Sequence, residues 1–269
     1  MHMVTLDQGG FARADTWIAA PPPDLAEIIE HAFVRRDTAR PAPAGPWRLV
    51  PDPSAHLVVV VRGGAGGRTV RGAVVGARST YADTDLRDRE LTLGLRLVPG
   101  ALAALARDHA EAFTDRGVAA EAVFGAAWRG VAERVGDGDL RTAVTAMLGL
   151  VRDHARTERA DRALIAAARR ADSVAAMADG LGMSLRTLHE RTRQAIGLAP
   201  KRLLRIVRIH RALHGHRRGA SWAALAASAG YADQPHLVRE VRALLGEPPR
   251  AWVARARCRS VQDGAPRGH

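Results

Sequence analysis

The feature that most constrains the fold is a repeat in the C-terminal third of the chain. Residues 173–182 (SVAAMADGLG) and 221–230 (SWAALAASAG) lie 48 residues apart; each begins with serine, carries apolar residues at helical spacing and ends in glycine. The segments that follow, 188–197 and 237–246, repeat at an offset of 49. Serine caps a helix start, and glycine lets the chain turn at a positive φ. The repeat therefore predicts two helix-turn-helix units.

The second helix of each unit is predicted to expose a polar face. On helical wheels, Leu188 and Leu237 point inward, and Asp233 is placed to cap the later helix. Arg, His, Gln and Thr on an exposed face can contact base edges in the major groove of DNA. A solvated helix face is the alternative for either helix alone; the pairing favours DNA. The predicted base-reading residues are Arg186, Thr187, His189, Glu190, Arg193, Gln234, Pro235, His236, Arg239 and Arg242.

The net positive charge lies entirely in the second half of the chain. Residues 1–156 hold 19 Arg and 19 acidic residues, whereas residues 157–269 hold 21 basic and 9 acidic residues, which accounts for the whole net charge of +12. A neutral half joined to a basic half indicates that the basic half binds a polyanion. The predicted contacts to DNA phosphate are Ser173, Arg191, Lys201, Arg202, Arg205, Ser221 and Arg250.

A helix is predicted between the two units. Residues 200–215 place Leu203, Ile206, Val207, His210 and Leu213 at helical spacing. Sixteen residues make a helix of roughly 24 Å. Such a spacer can hold two reading helices near one turn of DNA apart, about 34 Å.

The first half of the chain has a different pattern. Valine- and leucine-rich runs at 47–50, 57–62, 69–77 and 91–98 predict strands, after a predicted helix at 24–35. The pattern becomes helical from 101 to about 154, with a break at 137–139. The predicted fold class is α+β: a mixed β-barrel or sandwich plus helices, then an all-α domain of about seven helices. The predicted boundaries are 1–155 for the first domain, 156–256 for the second and 257–269 for a basic, disordered tail.

Several classes of protein are excluded or disfavoured by counting. Cys258 is the only cysteine, so an internal disulfide and a thiolate zinc cluster are excluded. Lys201 is the only lysine, and no Gly-Lys-Ser/Thr phosphate loop occurs. The longest aliphatic run, 57–61, is too short for a membrane span. Residues 1–3 resemble a cloning remnant, and no signal peptide follows them. We therefore expect a cytoplasmic protein without membrane partner, metal or cofactor.

The basic half resembles the AraC/XylS family of bacterial transcription regulators. The resemblance covers residues 157–253 and rests on the repeated units and on GYADQPHLVREVR (230–242) followed by GEPP (246–249). It implies a seven-helix domain that reads successive major grooves through Arg186, His189, Glu190, Gln234, Pro235 and Arg239, with RNA polymerase as a partner. Glu190 stands where a basic residue is usual; an acidic residue there could accept a hydrogen bond from cytosine N4 or could repel phosphates. Thr192 stands where a large apolar or aromatic residue is usual, which predicts a looser first unit.

The front half is similar, less specifically, to a cupin-like sensor domain of some family members. The pieces that match are 49–52 (LVPD), 57–60 (LVVV) and 94–100 (GLRLVPG). In that family such domains bind a small-molecule effector or pair subunits, so an effector and a homodimer are expected. Trp47, His56 and Arg96 are candidates for the effector pocket, with packed or surface residues as the alternative.

Two functions from different classes remain. The first is a non-enzymatic, sequence-specific DNA-binding regulator. The second is a DNA-targeted enzyme with catalysis in the N-terminal domain, for which Cys258 would be the only thiol nucleophile. Cys258 lies in an arginine-rich tail that offers no pocket, and the front-half histidines are too widely spaced for a His-x-His metal site. We therefore favour the regulator.

Overall fold

The N-terminal domain is built on an antiparallel sheet. The structure, a computed structural model, describes residues 16–36, 47–63, 67–84, 89–106, 108–136, 140–155, 161–217 and 219–253. Six strands form one sheet in the order β1-β2-β7-β4-β5-β8, and β3 and β6 form a two-stranded sheet. The strands are β1 Thr16–Ala19, β2 Ile29–Arg36, β3 Trp47–Leu49, β4 His56–Arg62, β5 Thr69–Val75, β6 Ala82–Thr84, β7 Arg89–Leu97 and β8 Gly117–Ala119.

Alternation along the strands divides the large sheet into two faces. On β4, Leu57, Val59 and Val61 are buried, whereas the residues between them are only partly buried. The buried face packs against three helices, α1 Ala120–Phe124, α2 Ala127–Gly136 and α3 Leu140–His154. Gly72 permits this packing, because a Cβ there would lie 2.1 Å from a ring atom of Trp128. The predicted α+β fold class is confirmed, while the cupin-like character of the N-terminal domain stays a prediction.

The predicted helix at 24–35 is wrong. The structure has a 3₁₀ helix at Pro23–Leu25 and then strand β2, which pairs with β1 on one side and β7 on the other. Leu25, Ile28, Ile29 and Ala32 imitate the spacing of a helical face. Pairing on both sides outweighs that local preference, since β2 fills both of its hydrogen-bonding edges.

The rest of the predicted helical stretch is only partly helical. Between β7 and α1 come two 3₁₀ helices, Ala101–Ala104 and Ala110–Phe113, and strand β8. Helices α2 and α3 occupy the remainder on either side of 137–139, which lie outside the described residues. Residues 156–160, which follow the boundary predicted at 155/156, lie outside the described residues. The predicted tail, 257–269, lies outside them as well.

The C-terminal domain is helical throughout its described residues. Six helices are followed by helical residues 249–253, so this part has the seven helices that were predicted. Their bounds are α4 Arg162–Arg170, α5 Val174–Gly180, α6 Leu185–Ile196, α7 Pro200–Arg217, α8 Trp222–Ser228 and α9 Gln234–Leu245. The predicted helix-turn-helix units are α5–α6 and α8–α9, and α7 is the predicted spacer.

Two separate hydrophobic cores hold these helices. The first contains Leu188 and Ile206, and the second contains Ile209 and Leu237. Helix α7 contributes to both, because its N-terminal part packs in the first core and its C-terminal part in the second. Each unit therefore has its own apolar centre, and α7 joins them.

Candidate nucleic-acid interface and ligand cleft

The first helix of each unit begins at the predicted serine. Ser173 Oγ accepts a hydrogen bond from the backbone N of Ala176 at 3.0 Å, and Ser221 Oγ accepts one from Ala224 at 3.2 Å. These bonds satisfy backbone donors that the first turn leaves unpaired. Both units therefore start in the same way.

The second helices are capped as well. Ser184 Oγ accepts from the backbone N of Thr187 at 3.1 Å, and Asp233 caps α9 by accepting from His236 N at 2.6 Å, as predicted. Gly182 and Gly230 precede these caps with φ of +64° and +73°. The positive φ that the repeat predicted at both turns is confirmed.

The outward face of α9 carries exposed side chains. Gln234, Pro235, Arg239 and Arg242 are exposed, and the two arginines form no ion pair with any residue that the structure describes. His236 differs, because it is half-buried with its ring centroid 5.3 Å from that of Tyr231. The free arginines are available to a ligand of negative charge.

The outward face of α6 is exposed too, but its charges are paired. Arg186 Nε lies 3.0 Å from Glu190 Oε1, and Arg193 Nη1 lies 3.4 Å from Glu111 Oε1 of the N-terminal domain. Thr187 and His189 are exposed beside them. The paired charges distinguish this helix from α9.

Thr192 is fully buried on the inward face of α6. Its Oγ1 donates to the carbonyl oxygen of Leu188 at 2.7 Å, so the buried hydroxyl is satisfied. Val241 occupies the equivalent position of the second unit and is equally buried. The looser first unit that Thr192 predicts stays a prediction, although its side chain is buried and hydrogen-bonded.

The predicted phosphate-contacting residues divide into two groups. Ser173, Lys201, Ser221 and Arg250 are exposed. The other arginines are less available: Arg191 pairs with Asp161 at 2.5 Å, Arg205 pairs with Glu240, and Arg202 is half-buried.

Leu185 is a surface residue that the sequence analysis did not single out. It is the first residue of α6, and 54% of its area is exposed although it is apolar. The offset of 49 aligns it with Gln234, a predicted base-reading residue. That alignment could have identified Leu185 from the sequence. An exposed apolar side chain at this place can contact the methyl group of thymine.

A cleft of about 2080 Å³ lies between the second face of the large sheet and helices α4 and α7. Alternate residues of four strands form its sheet wall, since they point away from the buried core. The apolar residues of this wall include Phe33, Val58, Val60, Ala73 and Val75. Ile165, Val207 and Leu213 line the helical side. The cleft therefore contacts both domains.

A charged cluster forms part of the lining of the cleft. Arg96 Nη2 donates to Asp52 Oδ1 at 2.9 Å, and Arg96 Nε donates to Glu30 Oε2 at 2.8 Å. Burial alone would raise the pKa of Asp52, but the Arg96 guanidinium holds it well below its usual range. Burial, and secondly the charge of Arg96, lowers the pKa of His56 to about 4. The imidazole is therefore neutral at pH 7 beside a charged pair.

Polar groups without partners also face the cleft. The hydroxyls of Ser54 and Thr92 are buried and have no hydrogen-bond partner among the described residues. Buried polar groups are normally paired, so these hydroxyls can bind a polar group of a ligand. Of the predicted pocket residues, His56 and Arg96 lie together, with Nε2 and Nη1 3.4 Å apart. Trp47 lies in β3, but its side chain is outside what the structure describes.

Within the described ranges, no three His, Cys, Asp or Glu side chains come together as metal ligands. None of the described helices has the length and apolar character needed to cross a membrane.

Comparison with known families follows the division into two domains. A family model described as "Helix-turn-helix domain" matches residues 177–255, which run from within α5 through α7 to the end of the second unit. Residues 177–255 form an AraC-type helix-turn-helix domain. The AraC-type domain indicates that the chain is a DNA-binding transcription regulator. A second model, described as "Domain of unknown function (DUF6597)", matches residues 18–119.

Solved structures provide a comparison over most of the chain. The chain is similar to ToxT from Vibrio cholerae at 8% identity, over 89% of this chain and 98% of ToxT, with a TM-score of 0.43. ToxT bound to unsaturated fatty acid is similar at 8% identity, over 78% and 93%, with a TM-score of 0.40. Among curated proteins, no sequence matches this chain.

Proposed function

We propose that the chain is a sequence-specific transcription regulator that inserts α6 and α9 into successive major grooves on one face of DNA. The observation that carries the proposal is the pair of equivalent helices, whose caps, turns and buried leucines repeat while their outward residues stay exposed. Phosphate contacts would fix the position of the domain, and outward side chains would then select the sequence. Arg239, exposed on α9, is the central base-reading residue.

The basic surface supplies the affinity in this proposal. Lys201, Arg250 and the serine-capped starts of α5 and α8 are exposed where phosphates would approach. Arg191, Arg202 and Arg205 would add contacts after rearranging their present ones. With roughly 6–10 phosphates contacted, affinity should fall by a factor of ~10³–10⁵ between 50 and 200 mM salt.

The decisive experiment is selection of bound sequences from a random DNA pool with the full-length protein. Recovery of two boxes about one helical turn apart is the expected result. With the recovered site, Arg239→Ala should lose discrimination at one or two base pairs by about 1–3 kcal/mol. Lys201→Ala is the matched control and should weaken all sequences alike. Equal weakening of specific and random DNA by Arg239→Ala would overturn the reading role.

We also propose that a small amphipathic molecule regulates this activity from the cleft. Phe33, Val58 and Val60 would hold its apolar part, while Ser54 and Thr92 would bind its polar group. The effect has a short path to the DNA-binding domain. His210 of α7 bonds the carbonyl oxygen of Pro51 at 2.7 Å, next to Asp52 of the charged cluster.

The cleft can be tested with 1-anilinonaphthalene-8-sulfonate as an amphipathic fluorescent probe. The folded protein should bind one molecule with enhanced fluorescence, and Val58→Trp, which fills the cleft, should abolish that binding. Arg129→Ala on exposed α2 is the control and should not change it. Unchanged binding by a correctly folded Val58→Trp variant would refute the cleft as the site. The proposal also includes homodimerisation through the N-terminal domain and contact with RNA polymerase. Both are implied by the resemblance to the AraC/XylS family.

A further inference from the structure

The two reading helices end in equivalent glycines, and both glycines lie against the N-terminal domain. Gly197 ends α6 with φ +88°, and Gly246 ends α9 with φ +75°; the offset of 49 relates them. The left-handed conformation explains why glycine occupies both positions. It does not explain why another part of the chain packs on each of them.

The first contact is made by the segment around the second 3₁₀ helix. Thr114 Oγ1 donates to the carbonyl oxygen of Gly197 at 2.7 Å. A Cβ on Gly197 would lie 2.4 Å from that Oγ1 and 2.8 Å from the carbonyl oxygen of Ala110. Glu111 adds its ion pair with Arg193. The end of α6 therefore fits closely on the N-terminal domain.

The second contact is made by the segment before β6 and by β3. A Cβ on Gly246 would lie 2.5 Å from Cζ of Tyr81, whose backbone N donates to the carbonyl oxygen of Leu244 at 3.1 Å. Arg48 Nη1 donates to the carbonyl oxygen of Leu245 at 3.3 Å, and its guanidinium lies 4.4 Å from the centre of the Tyr81 ring. The end of α9 is therefore held by a ring and a cation.

Apolar contacts follow the same division. Ala77 is buried in the first core together with Leu188, and Val50 packs against the second core, which contains Leu237. Ala77 is linked to the first contact because its carbonyl oxygen accepts a hydrogen bond from the backbone N of Asp115, next to Thr114. Val50 directly follows β3, which makes the second contact. The N-terminal domain thus contacts both units through polar and apolar groups, at corresponding places.

We propose that the N-terminal domain grips both reading helices at their C-terminal caps and thereby sets their distance and relative orientation. Thr114 and Tyr81 are the positioning residues of this double grip. The inference goes beyond the proposed function, which gives the N-terminal domain no part in spacing the two helices. Because each unit has its own core, contacts at both ends of the pair restrict a hinge motion that α7 would leave open.

The double grip can be tested without DNA. Spin labels at Gln194→Cys and Ala243→Cys, exposed and equivalent positions on α6 and α9, report their distance in a Cys258→Ser background. The otherwise unchanged protein should give one narrow distance peak, and Thr114→Val with Tyr81→Ala should broaden it. Arg129→Ala should leave it narrow. A narrow peak in a natively folded double variant would overturn the proposal.

Conservative variants guard against general destabilisation. Thr114→Ser keeps the hydroxyl and should keep the narrow peak, whereas Thr114→Val loses only the hydrogen bond. On the selected DNA site, inserting one base pair between the boxes should weaken wild-type binding. The ratio of the affinities for the original and the lengthened site measures this spacing preference. In the double variant the ratio should be at least about fivefold smaller, which corresponds to the loss of one hydrogen bond. If no DNA site is selected, the proposed function fails. The distances between the spin labels would still show whether the double grip exists.

Discussion

Arg205 of α7 and Glu240 of α9 form a two-pronged ion pair, with Nε–Oε1 and Nη2–Oε2 distances of 2.5 and 2.9 Å. The side chains are only 31% and 15% exposed, so the pair is largely shielded from solvent. Its geometry matches the fork of a guanidinium to both carboxylate oxygens. The pair joins the spacer helix to the second reading helix.

Removing this pair should weaken the second unit. Glu240→Gln is expected to lower the free energy of unfolding by about 1–3 kcal/mol, because it leaves a partly buried guanidinium without its charged partner. Urea titration measures the change. Glu190→Gln removes an exposed carboxylate from an i,i+4 pair and should leave stability unchanged. Equal effects of the two variants would contradict the importance of burial here.

The buried hydroxyl of Thr192 should be dispensable. Thr192→Val keeps the shape of the side chain, and the carbonyl of Leu188 can keep its helical hydrogen bond. We expect the free energy of unfolding to stay the same or rise by up to about 1 kcal/mol. Thr192→Phe should instead lower it by about 1–3 kcal/mol, since the larger ring would have to displace neighbours at a fully buried site. A large loss in the valine variant would show that the hydroxyl itself stabilises α6.

Glu190 should act against DNA binding. Its carboxylate holds Arg186 at 3.0 Å and would face the phosphates in a complex. Glu190→Gln should therefore tighten binding to all sequences by about three- to tenfold and steepen the salt dependence. Fluorescence anisotropy at several salt concentrations measures both effects. A selective loss at a C·G base pair would instead assign Glu190 to cytosine N4.

Leu185 should read a thymine methyl group. Leu185→Ala is expected to reduce the preference for thymine at one position of the selected site by about 1 kcal/mol without changing protein stability. Replacing that thymine by uracil removes the methyl group and should reproduce the loss for the wild-type protein. The variant protein should not distinguish the two bases. Additive losses from both changes would rule out the contact.

The neutral state of His56 predicts a pH-dependent stability. Its pKa is about 4 in the folded protein against 6.5 ordinarily, so between these values the unfolded chain binds a proton that the folded chain does not. The stabilisation is complete above pH 6.5 and is lost as the pH falls towards 4. The loss is at most about 3 kcal/mol. His56→Gln should flatten stability over this range in urea titrations.

The helical domain was predictable because its signals are local. Serine or aspartate caps, turn glycines and apolar spacing lie within a few residues of each other, and their repetition removes ambiguity. Two occurrences in register placed Leu188 and Leu237 inward and Arg239 outward, as the structure has them. The valine- and leucine-rich strands β4 and β7 were predicted for the same reason.

The remaining features depend on contacts between distant parts of the chain. Strand β2 was mistaken for a helix because its partner β7 lies about sixty residues later. Arg96 was a candidate pocket residue, but its pairing with Asp52 follows from the fold of the sheet. The contacts of Thr114 with Gly197 and of Tyr81 with Gly246 join two domains, and no local pattern encodes them.

The shared spacer helix has a consequence for how chains of this kind can diversify. Ile206 and Ile209, three residues apart on α7, belong to different cores. One residue inserted between them would rotate the second unit by about 100° and advance it by about 1.5 Å. Box-to-box distance on DNA and angular phase around the duplex would therefore change together. A change in the length of α7 would therefore suit a new operator only when it adds or removes whole helical turns. Each such change would also require new contacts between the N-terminal domain and the ends of α6 and α9.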